Sequence, residues 1–217
     1  MSFHLKWQRI KQIAVIAGAA GMLGGCAADF DASSYVKGIL NNFYLGDSAV
    51  YQEMVEVSAE EALEEYQQGI EAEAELLVRY YGIDGGVSEE VYQEITELYQ
   101  EIYCHSKFKI SDEVRTQDGY QVDVTVSPID IIVNSEADIV KAVDEFSKSA
   151  DPDVYADQGK LNDAVTMIIV ETIRENLPEL GYLEDVTTSV LVKKDAEGYY
   201  SIDSNTISKV DDAIIEY

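Results

Sequence analysis

The chain has 217 residues, and 42 Asp and Glu outweigh 15 Lys and Arg to give a formal charge of −27. That balance argues against nucleic acid, which needs clustered Lys and Arg to neutralise phosphates, and against a domain lying flat on anionic lipid. At 47% hydrophobic the sequence is also too apolar for a disordered acidic chain.

In chain order, the first feature is a basic start: Lys6, Arg9 and Lys11 are the only charges before Asp29. An apolar run from Ile13 to Leu23 follows and ends on Gly24, Gly25 and Cys26. A basic start, an apolar middle and small residues at the end are the three parts of a secretory signal. A membrane-crossing helix needs about 20 apolar residues; this run is shorter and is loosened by Gly18 and Gly21.

Leu23-Gly24-Gly25-Cys26 resembles the lipobox of bacterial lipoproteins. The resemblance implies a diacylglycerol on the Cys26 thiol, cleavage just before it, and a position on the extracytoplasmic face of a bacterial cell membrane. The alternative is an ordinary cleaved signal with a chance cysteine. Two acyl chains hold a protein stably, at about 0.8 kcal/mol per buried CH₂. The expected organisation is a signal over 1–25, a short tether over 26–29, and one α+β domain over 30–217. Within that domain, 30–105 reads as helical and 106–217 as hairpins and helices. Removing residues 1–25 takes away three of the 15 basic residues and none of the 42 acids, which leaves −30. Partners drawn by that charge would be cationic proteins or divalent ions; the plainer reading is solubility outside the cell. With Cys26 lipidated, Cys104 has no cysteine left to pair with inside the chain.

Asp31 or Ser33 can cap a first helix that buries Val36, Ile39, Leu40 and Phe43 and stops at Gly46. A short segment from Asp47 to about Val55 follows. Ser58 and Glu61 then have the form of a capping box. The helix they open spaces Leu63, Tyr66, Ile70, Ala74, Leu77 and Tyr81 by threes and fours. Gly82, Gly85 and Gly86 break it, and Ser88 starts another with Val91, Ile95, Leu98 and Ile102 on one stripe.

The period then changes to two. Phe108 and Ile110 alternate with lysines, Asp118-Gly119 marks a turn, and Tyr120, Val122, Val124 and Val126 alternate with polar residues, giving a hairpin with one wet and one dry face. Pro128 ends it. Helices are expected over about 135–149 and 154–177, the second burying Leu161, Val165, Ile168, Ile169 and Thr172. A second hairpin runs through Val186, Thr188, Val190 and Val192, turns at Asp195 to Gly198 and returns through Tyr200 and Ile202. A last helix starts at Asn205 with Ile207, Val210 and Ile214 inward. The sum is an α+β fold: an antiparallel sheet of about four strands, in two hairpins, packed against several helices and preceded by a helical part.

The stretches Tyr35 to Asp47, Ser58 to Glu71 and Tyr200 to Asp203, with the lipobox, resemble small cell-surface lipoproteins of Gram-positive Firmicutes. The hairpins and helices also resemble the cystatin-like or NTF2-like class, in which a curved antiparallel sheet wraps a long helix. Two helices inserted between the hairpins leave the sheet topology open.

Chemistry is sparse. His105 is the only histidine after the signal, and adjacent helical residues do not face each other, so Cys104 reads as structural and His105 as surface. Asp29/Asp31, Asp151/Asp153, Asp195/Glu197 and Asp211/Asp212 are close acid pairs, none in a calcium-loop pattern. Tyr80, Tyr81, Tyr92, Tyr99, Tyr103, Tyr199 and Tyr200 are interface anchors or packing at the core edge. No catalytic, metal or cofactor residue is assigned, and no cofactor is expected. The expected function is a non-catalytic binding or interaction module at the envelope, with Cys26 as its one modified residue. The alternatives are an enzyme using carboxylates in an NTF2-like pocket and a small-ligand-binding lipoprotein.

Overall fold

The computed structural model describes residues 30–196 and 198–217. The expected signal, the tether with Cys26, Asp29 and Glu197 lie outside the described residues. In chain order the elements are α1 (Ala32–Leu40, continued by a π turn Asn41–Leu45), α2 (Ala49–Val55), α3 (Ala59–Tyr80), α4 (Glu89–Tyr103), β1 (Lys107–Ile110), β2 (Val114–Arg115), β3 (Gly119–Ser127), α5 (Ile131–Ser149), α6 (Pro152–Tyr155), α7 (Gln158–Asn176, then a 3₁₀ turn Leu177–Glu179), β4 (Val186–Lys194), β5 (Tyr200–Ile202) and α8 (Ser204–Asp211). The fold is α+β, as the periodicities imply. The chain divides into two compact units, the first running to Gly69 and taking in Ser106–Pro128 and Glu184–Ile214, the second made of Ile70–His105, Ile129–Leu183 and Ile215–Tyr217.

Unit 1 holds the sheet. Its strands are antiparallel in the order β1-β3-β4-β5, with β2 beside β1 along the same side of β3. The two expected hairpins are therefore one sheet, because β3 and β4 pair from Gly119↔Lys193 to Val126↔Val186. On the inner face Tyr120, Val122, Val124 and Val126 lie with Val190, Val192 and Ile202, all buried. Helix α1 packs on β3 and β1, with Val36, Ile39 and Leu40 buried, and α8 packs on β4. Each such side chain contributes about 1.5–3 kcal/mol when taken from water.

Local signals set the helix ends of unit 1. Asp31 caps α1 by accepting from Ser34 N at 2.8 Å. Desolvation works against that carboxylate, but the Ser34 and Ser33 bonds outweigh it and lower its pKa. Gly46, at φ +65°, ends the π turn. Glu61 accepts from Ser58 N at 2.8 Å, and Ser58 Oγ accepts from Glu61 N at 3.2 Å, which closes the capping box. Gly38 lets α2 approach α1, since a Cβ there would stand 3.0 Å from Tyr51 N.

Unit 2 is helical. Helix α7 packs against α4, α5 and α6. Ser88 caps α4, and Val91, Ile95, Leu98, Tyr99, Ile102 and Tyr103 form its buried face. Asn162 on α7 donates to the carbonyls of Asp84 and Gly86, each at 2.8 Å, and Asp163 accepts from Ser88 N at 2.8 Å. These bonds fix the glycine-rich loop between α3 and α4.

Three expectations need correction. Leu63 is 53% exposed, and Ala62 takes its inward place. The buried stripe of α7 is Asn162, Thr166, Ile169, Val170 and Ile173, about one residue round from the expected one, because two of its inward positions are polar. The segment after Pro128 starts its helix at Ile131, and the next one splits where Asp157 caps α7. Cys104 is exposed, and its thiol donates to the Glu101 carbonyl at 2.9 Å at the end of α4. His105 is on the surface, as expected.

Candidate functional site

A cleft of about 680 Å³ in unit 1 is lined by residues of α1, β1 and the end of β3. Three short-range patterns build it. Lys37, Asn41 and Leu45 follow one another at four-residue spacing on α1 and its π turn, so they share a face. Lys107 and Lys109 alternate with Phe108 and Ile110 on β1. Thr125 and Ser127 stand opposite on β3, in the pairs Lys109↔Thr125 and Lys107↔Ser127. Among the described residues, β1 pairs with no strand other than β3.

The lining combines charge with apolar surface. Leu45 is 40% exposed, and Phe108 and Ile110 are half-buried. Phe108 meets the Tyr44 ring edge-on, with centroids 6.4 Å apart. Asp185 is the one carboxylate among the lining residues, and its Oδ1 accepts from Ser127 Oγ at 2.6 Å. Three lysines therefore line one cleft of a chain whose formal charge is −27. Such a lining suits a ligand with an anionic head and an apolar body. Lys37 and Lys107 are far apart in the chain, so no local pattern joins this set. The one signal available was the alternation of lysine with apolar residues on β1.

Other clusters are already occupied by internal bonds. In unit 1, Tyr44 Oη donates to the buried Asp211 at 2.7 Å, and Tyr51 Oη donates to Glu65. Burial is the main influence that raises the pKa of Glu65 and of Tyr51. In unit 2, the Tyr99 and Tyr217 hydroxyls lie 2.7 Å apart, and Tyr217 Oη donates to the buried Glu73 at 3.0 Å. Tyr80 Oη donates to Glu136 at 2.8 Å, and burial pushes the Tyr80 phenol up to about 12. Tyr99 and Tyr103 are core residues, whereas Tyr199 is exposed.

The close acid pairs are largely caps and turns. Asp151 accepts from Asp153 N at 2.9 Å, and Asp195 accepts from Gly198 N and Tyr199 N, each at 2.8 Å. No group of three or more His, Cys, Asp or Glu among the described residues could hold a metal ion. Among the same residues no helix is long and apolar enough to cross a membrane.

No family model and no curated protein matches this sequence. Among solved structures, the fold resembles that of a Bacillus subtilis protein described as a “putative lipoprotein (ycdA)”, at a TM-score of 0.59 and 17% identity. The match covers 86% of this chain and 57% of that one, so the chain spans little more than half the length of its neighbour. The likeness is one of fold.

Proposed function

We propose that this chain is a lipid-anchored extracytoplasmic binding protein, tethered through Cys26, that takes an anionic, partly apolar ligand in the cleft along β1. The anchored location is supported by Leu23-Gly24-Gly25-Cys26 and by a fold shared with a Bacillus protein described as a lipoprotein. The binding half rests on one observation, the presence of Lys37, Lys107 and Lys109 together with Leu45, Phe108 and Ile110 in the lining of one cleft. Cationic proteins and divalent ions remain the expected partners of the acidic surface outside that cleft. Carboxylate catalysis has weaker support. The inner sheet face is filled with apolar side chains, and Glu65, whose pKa is raised, lines none of the three clefts described.

The two halves are tested separately. Cys26→Ala should move the protein from the membrane fraction to the soluble one; a variant that stays with membranes overturns the anchor. For the cleft, the probe is anilinonaphthalene sulfonate, an anionic aromatic dye. Lys37→Glu with Lys109→Glu should weaken its binding about tenfold or more, which is about 1.4 kcal/mol. Unchanged affinity in a folded double variant overturns the cleft assignment.

A further inference from the structure

Phe30 joins the expected tether to unit 1, and it is docked. Its ring stacks on Tyr200 with centroids 3.9 Å apart and planes within 9°. It also meets Tyr35 edge-on at 5.4 Å and lies 6.0 Å from Tyr120. Tyr120 and Tyr200 belong to the end of the sheet where β3 starts at Gly119 and β4 finishes at Lys194. From Phe30 back to Cys26 is four residue steps, at most about 14 Å when fully extended. From Tyr120 to Ser127, at the other end of β3, is seven steps, or about 23 Å.

We infer that the Gly119 end of the sheet faces the bilayer and that the lysine-lined cleft opens at the end away from it. The inference rests on the lipid-anchor reading above. A tether of at most about 14 Å keeps Phe30 close to the membrane surface, and that reach is shorter than the length of β3 from Tyr120 to Ser127. The surface at the near end fits an interfacial position. Val114 is 62% exposed and Tyr199 46% exposed. The Arg115 guanidinium lies 6.0 Å from the Tyr120 ring centre, and the Lys194 ammonium 5.1 Å from that of Tyr200. The exposed Tyr199 ring and the long side chains of Arg115 and Lys194, which pack over the buried Tyr120 and Tyr200, suit the headgroup level of a membrane, with apolar parts inward and polar tips in water. Asp112, Glu113, Asp118 and Asp195 share this end, so the tether and the apolar contact, not attraction to anionic lipid, set the orientation.

Trp7 is the only tryptophan, which makes the test direct. The full chain carrying Trp7→Phe is expressed in a lipoprotein-processing bacterium with one reporter, either Tyr199→Trp or Leu45→Trp, and reconstituted into phosphatidylcholine vesicles with brominated acyl chains. Val114→Trp is a second near-end reporter should Tyr199→Trp disturb the turn. The expected result is loss of most emission from the near-end reporters and little loss from Leu45→Trp. Vesicle-bound protein quenched equally at both ends, or more at Leu45→Trp, overturns the orientation and leaves the anchor standing. Protein that does not float with the vesicles overturns the anchor, and the orientation with it.

Discussion

The two units are built differently, although each meets a buried carboxylate with a tyrosine hydroxyl. Unit 1 is built on a sheet whose inner face is apolar along its length, and its buried Asp211 is met by a tyrosine hydroxyl. Unit 2 is tied together by polar side chains that bond from α7 to the loop and to α4. Asn162 holds two loop carbonyls, Gln158 Nε2 donates to its Oδ1 at 2.8 Å, and Arg174 on α7 reaches Glu94 and Glu101 on α4, each at 3.1 Å. The difference teaches that a sheet can specify itself by alternation, whereas a helix bundle broken by a glycine-rich loop needs particular polar residues to place that loop.

The largest effect that would break this comparison is expected at Asn162. Asn162→Ala leaves the Asp84 and Gly86 carbonyls without their shared donor. It should cost about 1–2 kcal/mol, since each lost bond contributes about 0.5–1.5 kcal/mol net and water reaches the exposed loop. Chemical denaturation gives the total, and hydrogen exchange should show the loss centred on Gly82 to Ser88. A cost below about 0.5 kcal/mol, the range of ordinary surface changes, would mean that the loop is held by its own turns.

Thr166 sharpens the same contrast with the opposite sign. It is fully buried on α7, and its hydroxyl has no hydrogen-bond partner among the described residues. Thr166→Val should stabilise the protein by about 1 kcal/mol, because the desolvation penalty of an unpaired hydroxyl disappears. A lower melting temperature in the variant would show that the hydroxyl has a partner.

The smallest effect is a pH dependence in unit 1. The bond from Lys193 is the largest influence on Asp203 and lowers its pKa; desolvation opposes it, and the Asn205 and Thr206 amides reinforce it. A carboxylate that is a stronger acid in the fold stabilises fully above the ordinary carboxylate value near 4 and loses that contribution as pH falls below it. Asp203→Asn keeps an N-cap of similar quality and removes the ion pair. The loss at pH 7 should be within the usual 0–1 kcal/mol for an exposed pair, with a flatter decline on the acid side. An unchanged acid slope would show that other carboxylates govern it.

What the sequence disclosed was local. The alternation over Tyr120 to Val126, the Ser58–Glu61 box and the Val91 to Ile102 stripe each fit within one element, and each matches the structure. What it hid was either polar or distant. The true stripe of α7 passes through Asn162 and Thr166, which an apolar count rejects. The pairing of β3 with β4 joins segments separated by four helical elements and so carries no local period. The cleft needs Lys37 from α1 beside Lys107 and Lys109 from β1, a meeting that follows from the packing of α1 on the sheet edge.

The aspartate caps have a consequence for anyone redesigning this surface. Composition makes every acid look interchangeable, a contribution to one large negative number. Yet Asp31, Asp151, Asp157 and Asp203 each close the first turn of a helix by accepting backbone N–H groups. Exposed glutamates on α3, such as Glu60, Glu64 and Glu71, have no such duty. A charge-reduced version that neutralises those glutamates should fold as before, while an equal number of alanines placed at the four caps would blur where the helices begin.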